Sequence, residues 1–298
     1  MMSAIPAAAG VTRRPAAPML RHLALHGASL AYLEQGAGEP IVFVHGGLVA
    51  DAFAPVLTHP ALAGRYRLIA YHRRGYGMST RAAGSLTTAQ QAADCLAVMR
   101  ALGIERAHLA GYSYGGSIAL QLALDVPQAV HSLALLEPLI PAALSDPATV
   151  QFFLDTVGAA YARYAEGDKA GAIDTFARGA FGPSYRQRLE QALPGAFEQM
   201  VADADVLFQV ELPALQQWGF ASEEALRLGR PLLSAFHDDP IWSGFRQTHE
   251  ALRTWLPDAV TLLLPTRSHL LQLIAPHEAA EGLAAFFARH PLPIRPRD

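Results

Sequence analysis

Cysteine is nearly absent from this chain: Cys95 is the only one in 298 residues. No disulfide can form within the chain, and no cysteine cluster can hold a metal. Charge is scarce as well, with 16% charged residues, a formal net charge of -3 and no long basic run. A nucleic-acid partner is therefore not expected. Hydrophobic residues make up 51% of the chain, which excludes global disorder. No apolar run reaches the ~18 residues that span a membrane. Met1 to Pro18 is rich in Ala and Pro, with Arg13 and Arg14 after its apolar part rather than before it. That order is the reverse of a secretory signal, so residues 1–20 read as a disordered or loosely attached leader and the expected location is cytoplasmic. There is no H-E-x-x-H and no G-x-x-x-x-G-K-[ST], and Gly75-x-Gly77 lacks the remainder of a dinucleotide fingerprint. Neither a metal nor a cofactor is expected.

What the chain does have is alternation. His22 to Leu25 and Ser29 to Leu33 read as a hairpin around His26-Gly27-Ala28. Ile41 to Val44, Arg67 to Tyr71, Arg106 to Ala110 and Val130 to Leu136 are short apolar runs of the type found in buried strands. Helical patterns lie between them at Ala52 to Leu57, Thr88 to Leu102 and Ser117 to Leu124. Thr87 or Thr88 can cap the second of these, and Gly103 can end it. After Glu137-Pro138 the alternation stops, and residues 141–228 carry only helical patterns, rich in aromatics. It resumes with Pro231 to Phe236, Gly244 to Trp255, Val260 to Leu264 and His277 to Arg289. The expectation is an α/β fold: a mostly parallel sheet with helices on both faces, built from residues 21–140 and 229–298. The block 141–228 is then a helical lid inserted after the strand pattern Val130 to Leu136, which follows the helix pattern Ser117 to Leu124.

The densest signal is Gly111-Tyr112-Ser113-Tyr114-Gly115, which sits between a strand pattern and a helix pattern. G-x-S-x-G in that position is a nucleophile elbow: the bend is too tight for large flanking residues and lifts the serine hydroxyl above the sheet. With His45-Gly46-Gly47, Gly75-Tyr76-Gly77-Met78-Ser79 and Ser268-His269-Leu270-Leu271, the chain resembles the α/β-hydrolase family from about residue 21 onward. The resemblance implies Ser113 as nucleophile and His269 as its base. The backbone N–H groups of Gly47 and Tyr114 would form the oxyanion hole. The family order of serine, acid, histidine places Asp239 first as the acid. Glu137 is the chief rival, and Asp238 stands next. His45 corresponds to a histidine that shapes its loop, and His72 stands where many relatives carry Asp. Ser113 argues against the haloalkane dehalogenases and epoxide hydrolases of the same fold, which place Asp at the elbow. The implied activity is hydrolysis of a small to medium, largely apolar ester, lactone or related carbonyl compound through an acyl-enzyme. A carbon–carbon bond hydrolase, a cofactor-free perhydrolase and a non-catalytic ligand-binding receptor stay open as alternatives. The expected partner is a small-molecule substrate, and oligomeric state is not readable.

Overall fold

Among the described residues eight strands form one sheet in the order β1-β2-β4-β3-β5-β6-β7-β8. They are β1 (Met19–Leu25), β2 (Ala28–Gln35), β3 (Glu39–Val44), β4 (Tyr66–Tyr71), β5 (Ala107–Tyr112), β6 (Val130–Leu136), β7 (Leu232–Phe236) and β8 (Val260–Leu263). The structure is a computed structural model and describes residues 18–25, 27–81, 84–238 and 243–293. β1 and β2 form an antiparallel hairpin, and β2 pairs antiparallel with β4. From β4 to β8 every pairing is parallel. β1 begins at Met19, two residues before the expected start of the folded core. Residues 1–17 and the hairpin residue His26 lie outside the described residues.

The continuous apolar runs are explained by burial on both faces. Ile41 and Phe43 of β3 enter one hydrophobic cluster, whereas Val42 and Val44 enter the other. β5 divides in the same way, with Ala110 and Tyr112 on one side and Ala107 and Leu109 on the other. A strand covered on both faces has no polar face to show in its sequence. The helix Thr88–Ala101 starts with a reciprocal cap: the Thr87 side chain accepts from Gln90 N–H, and the Gln90 side chain accepts from Thr87 N–H. Gly103 follows its end at φ +70°. Cys95 lies within this helix, fully buried, and burial pushes its thiol up to about 12, which makes it an inert core residue.

Between β6 and β7 the chain forms only helices, from the turn Pro141–Ala143 to the helix Ser222–Leu226. The longest, Pro147–Ala165, is capped by Asp146 through Thr149 N–H. One turn of this insertion is π-helical: Leu207–Glu211 closes with Leu212 N–H donating to Leu207 O. Pro213, two residues beyond, has no N–H to continue a regular ladder. The freed Phe208 carbonyl is taken by the Tyr161 hydroxyl at 2.7 Å. The insertion is tied to the sheet loops by Asp203, which is 1% exposed and accepts from Gly77 N–H at 2.8 Å and from Arg81. Among the described residues no helix is long and apolar enough to cross a membrane.

Candidate active site

Three non-glycine residues have positive φ among the described residues: Leu48 (+70°), Ser113 (+51°) and Glu137 (+47°). All three follow the C-terminal ends of neighbouring strands, β3, β5 and β6. Strained backbone gathered at one edge of a sheet marks a place where side-chain direction matters more than local comfort.

Ser113 occupies the turn between β5 and the helix Tyr114–Asp125. Its N–H donates to Leu136 O at 2.9 Å, which fastens the turn to the end of β6. Gly115 explains why the motif needs a glycine here: a Cβ would stand 2.1 Å from Val44 O. The elbow helix therefore presses directly on the β3 backbone, and any side chain at 115 would push it away.

Glu137 follows immediately after β6. Its N–H donates to Ala235 O at 2.9 Å, placing it between the ends of β5 and β7. The side chain is 1% exposed. Oε1 accepts the His237 backbone N–H at 2.7 Å and is also bonded by His237 Nδ1. Oε2 accepts from His269 Nδ1 at 2.6 Å. Burial works to raise the Glu137 pKa, but the two histidine hydrogen bonds outweigh it and hold the carboxyl below its ordinary value. Glu137 is thus ionised at neutral pH despite its burial.

His269 lies in the loop after β8, and three contacts orient it. The Tyr112 hydroxyl donates to the His269 carbonyl at 2.8 Å. The Phe245 ring stacks on the imidazole with centroids 3.9 Å apart and planes 14° from parallel. His269 Nδ1–H donates to the Glu137 carboxylate, so the lone pair is on Nε2. Burial pushes the imidazole pKa below its usual value, and Glu137 only partly restores it. The ring is neutral at pH 7 and can accept a proton.

Ser113 and His269 line one cavity of about 50 Å³, together with Gly47 and Tyr114. Among the described residues the Ser113 hydroxyl forms no hydrogen bond, so its proton is uncommitted. Apolar residues of the insertion close the far side: Phe152, Phe153, Phe176, Leu207 and Leu212.

The loop that carries Gly47 is held by Arg73, which is 2% exposed. Its guanidinium donates to His45 O at 3.0 Å, Gly46 O at 2.9 Å and the Gln91 side chain at 2.6 Å. A fourth bond, 2.6 Å from Nη2, goes to Glu211 Oε2 in the π-helical turn. Burial opposes the guanidinium charge, but Glu211 and Tyr76 more than offset it, so Arg73 stays charged. His45 accepts Arg73 N–H at Nε2 (2.9 Å) and donates from Nδ1 to Gly46 O (2.7 Å). Burial lowers its pKa well below the usual value, so His45 is a neutral scaffold group. His72 bonds Asp51 through Nε2 at 3.0 Å and accepts Met78 N–H at Nδ1, keeping the following turn in place.

The sequence reading ranked Asp239 above Glu137 as the carboxylate beside His269. The structure brings Glu137 to His269, because the end of β6 lies beside that of β7. Asp239 lies outside the described residues. Asp238 carries a half-exposed carboxylate that pairs with Arg246 and not with His269. Arg73, Glu211 and Tyr112 were missed altogether. Glu211 did leave a trace, as the lone charged residue in an apolar stretch from Val206 to Leu215.

Residues 39–225 match the family model described as the alpha/beta hydrolase fold. The chain belongs to the α/β-hydrolase family. It is 30% identical over 270 residues to the dihydrolipoyllysine-residue acetyltransferase component of an acetoin cleaving system from Pseudomonas putida, covering 89% of this chain and 68% of that protein. It is 40% identical over 109 residues to a putative carbamate hydrolase from Azorhizobium caulinodans, covering 36% of this chain and 40% of that one. The carboxylesterase CesB from Bacillus subtilis shares the fold, with a TM-score of 0.72 at 21% identity over 93% of both chains. Two of these three carry hydrolase or esterase names and one an acetyltransferase name, and together they leave the substrate of this chain unspecified. Among the described residues of this α/β-hydrolase, no group of three or more His, Cys, Asp or Glu could hold a metal ion.

Proposed function

We propose that this protein is a serine hydrolase of small, largely apolar esters or related carbonyl compounds, with Ser113, His269 and Glu137 as its triad. The observation that carries this reading is the 2.6 Å bond from His269 Nδ1 to buried Glu137, with Ser113 on the same cavity. Glu137 holds the imidazole in the tautomer that leaves Nε2 free, and stabilises the imidazolium once it forms. His269 takes the Ser113 proton as the oxygen attacks the carbonyl carbon. The tetrahedral oxyanion is stabilised by the N–H groups of Tyr114, at the start of the elbow helix, and of Gly47. When the intermediate collapses, the leaving oxygen receives the proton from His269. Water then attacks the acyl-enzyme with His269 again as base, releasing the acid and restoring Ser113.

The helical block 141–228 acts in this reading as a lid. Its phenylalanines and leucines exclude water from the cavity and favour an apolar acyl group. A cavity of about 50 Å³ suits short acyl chains, and longer ones require the lid to shift. Labelling with a fluorophosphonate followed by peptide mapping tests the nucleophile directly, and modification should fall on Ser113. Ser113→Ala should lower p-nitrophenyl acetate turnover by at least ~10³-fold. Equal rates in the two proteins would overturn the reading.

A further inference from the structure

Resting on that serine-hydrolase reading, we infer that Glu211 selects substrates carrying a neutral hydrogen-bond donor, a hydroxyl or an N–H, close to the scissile carbonyl. Glu211 is 4% exposed and lines the cavity that holds Ser113 and His269. Its two carboxylate oxygens differ. Oε2 is fully engaged, accepting from Arg73 Nη2 at 2.6 Å and from the Tyr76 hydroxyl at 2.8 Å. Oε1 lies against Gly47, where a Cβ would stand 2.3 Å from it. Among the described residues Oε1 accepts no hydrogen bond, and it is not sealed from the cavity, unlike the buried unpaired atoms elsewhere in the chain. A carboxylate oxygen can only accept, so the partner that satisfies it must bring the proton.

Position decides which part of a substrate that partner is. The N–H of Gly47 addresses the carbonyl oxygen, and Oε1 lies beside the same residue. The donor therefore sits on the acyl side, on a carbon next to the carbonyl or one further away. Arg73 balances the Glu211 charge, so the pair does not repel the developing oxyanion as a lone carboxylate would. The free oxygen still disfavours a second anion, so substrates bearing a carboxylate at that position are selected against. Apart from Thr156, Tyr114 and the pair Ser113 and His269, the rest of the cavity wall is apolar, which makes the charged Oε1 the strongest polar anchor for the acyl group.

The test compares isosteric p-nitrophenyl esters, with kcat/KM normalised to each ester's hydroxide rate. One pair is the 3-hydroxybutanoate against the 3-methylbutanoate; the other is N-acetylglycinate against O-acetylglycolate, in which an oxygen replaces the N–H. A preference of at least ~10-fold for the donor is expected in one pair, since the ester lacking it leaves the buried Oε1 acceptor unmatched. Which pair shows it identifies the donor as hydroxyl or N–H. The hemisuccinate ester should be slower than both donor esters. In Glu211→Gln the preference should shrink at least fivefold, with Ser113 labelling confirming an intact site. No preference in either pair, or a preference that survives Glu211→Gln, overturns the inference while leaving the serine mechanism standing. Should the variant not fold, thermal shifts of Ser113→Ala with two ketone pairs decide without turnover: 4-hydroxypentan-2-one against 4-methylpentan-2-one, and N-(2-oxopropyl)acetamide against 2-oxopropyl acetate. The donor ketone must stabilise more in at least one pair, and equal shifts in both overturn the inference. Loss of the mechanism itself would appear separately, as turnover that persists in Ser113→Ala.

Discussion

Two buried carboxylates serve the cavity, Glu211 by lining it and Glu137 from behind His269, and they come from different regions of the molecule. Glu137 ends a sheet strand, whereas Glu211 sits in a π-helical turn of the insertion. Both are almost completely shielded from solvent. Their partners differ. Glu137 is held by two imidazoles and a backbone N–H, which exchange protons easily or leave the charge localised. Glu211 is held by a guanidinium that never gives up its proton. The lesson is that burial alone does not make a carboxylate reactive. A histidine partner couples the charge to proton transfer, while an arginine partner spends it on structure and leaves one oxygen for recognition.

The largest expected effect comes from Glu137. Replacing it with Gln should lower kcat by about 10³–10⁴-fold, because the amide no longer enforces the His269 tautomer. Asp238→Asn and Asp239→Asn should stay within a few-fold of wild type. A severe loss in Asp239→Asn with a mild one in Glu137→Gln would reverse the assignment. Glu211→Leu should act on stability instead. It leaves the buried Arg73 charge unpaired, at a cost of about 3–5 kcal/mol in urea unfolding. A loss below about 1 kcal/mol would show that the ion pair is not what closes the insertion onto the Gly47 loop.

pH separates the two carboxylates next. Because burial lowers the His269 pKa, the acid limb of kcat/KM should fall below the usual histidine value near 6.5. Glu137 raises that pKa, so the residual activity of Glu137→Gln should have an acid limb shifted further down. Glu211→Gln should leave the limb in place. Stability should follow the same groups. His108 and His249 are both lowered to about 4, chiefly by burial, and His269 is lowered as well. The unfolded chain then binds more protons than the folded one between about pH 6.5 and 4. Unfolding free energy should drop across that window, by about 1.4 kcal/mol per pH unit for each proton taken up. A urea midpoint that stays flat from pH 7 to 4.5 would contradict the buried neutral histidines. The smallest effect belongs to Tyr112→Phe, which removes the bond to the His269 carbonyl. About 1 kcal/mol of stability and a several-fold drop in kcat are expected, measured by urea titration and ester assay.

Most of the sheet was legible because strands buried on both faces announce themselves as short apolar runs. Ile41 to Val44 and Val130 to Leu136 were placed to within two residues. The edge was harder. Met19 and Leu20 sit in β1 but are exposed, so no burial pattern marks them. Ser113 and His269 were readable as candidates from short local motifs. The carboxylate was not, because Glu137, Asp238 and Asp239 all follow strands that end at the same edge. Arg73 hid beside the better-known loop residues, and its four contacts come from three separate stretches of chain.

Local chemistry alone specified the strand–turn–helix around Ser113 and the apolar alternation of the sheet, since both depend on neighbours a few residues apart. Which acid meets His269, and which oxygen of Glu211 faces the cavity, were decided only when β6 came to lie between β5 and β7 and the insertion folded back over Arg73. Those choices join residues 132 and 138 positions apart. No propensity or spacing encodes such a meeting; it follows from strand order and from the requirement that a buried charge find its partner.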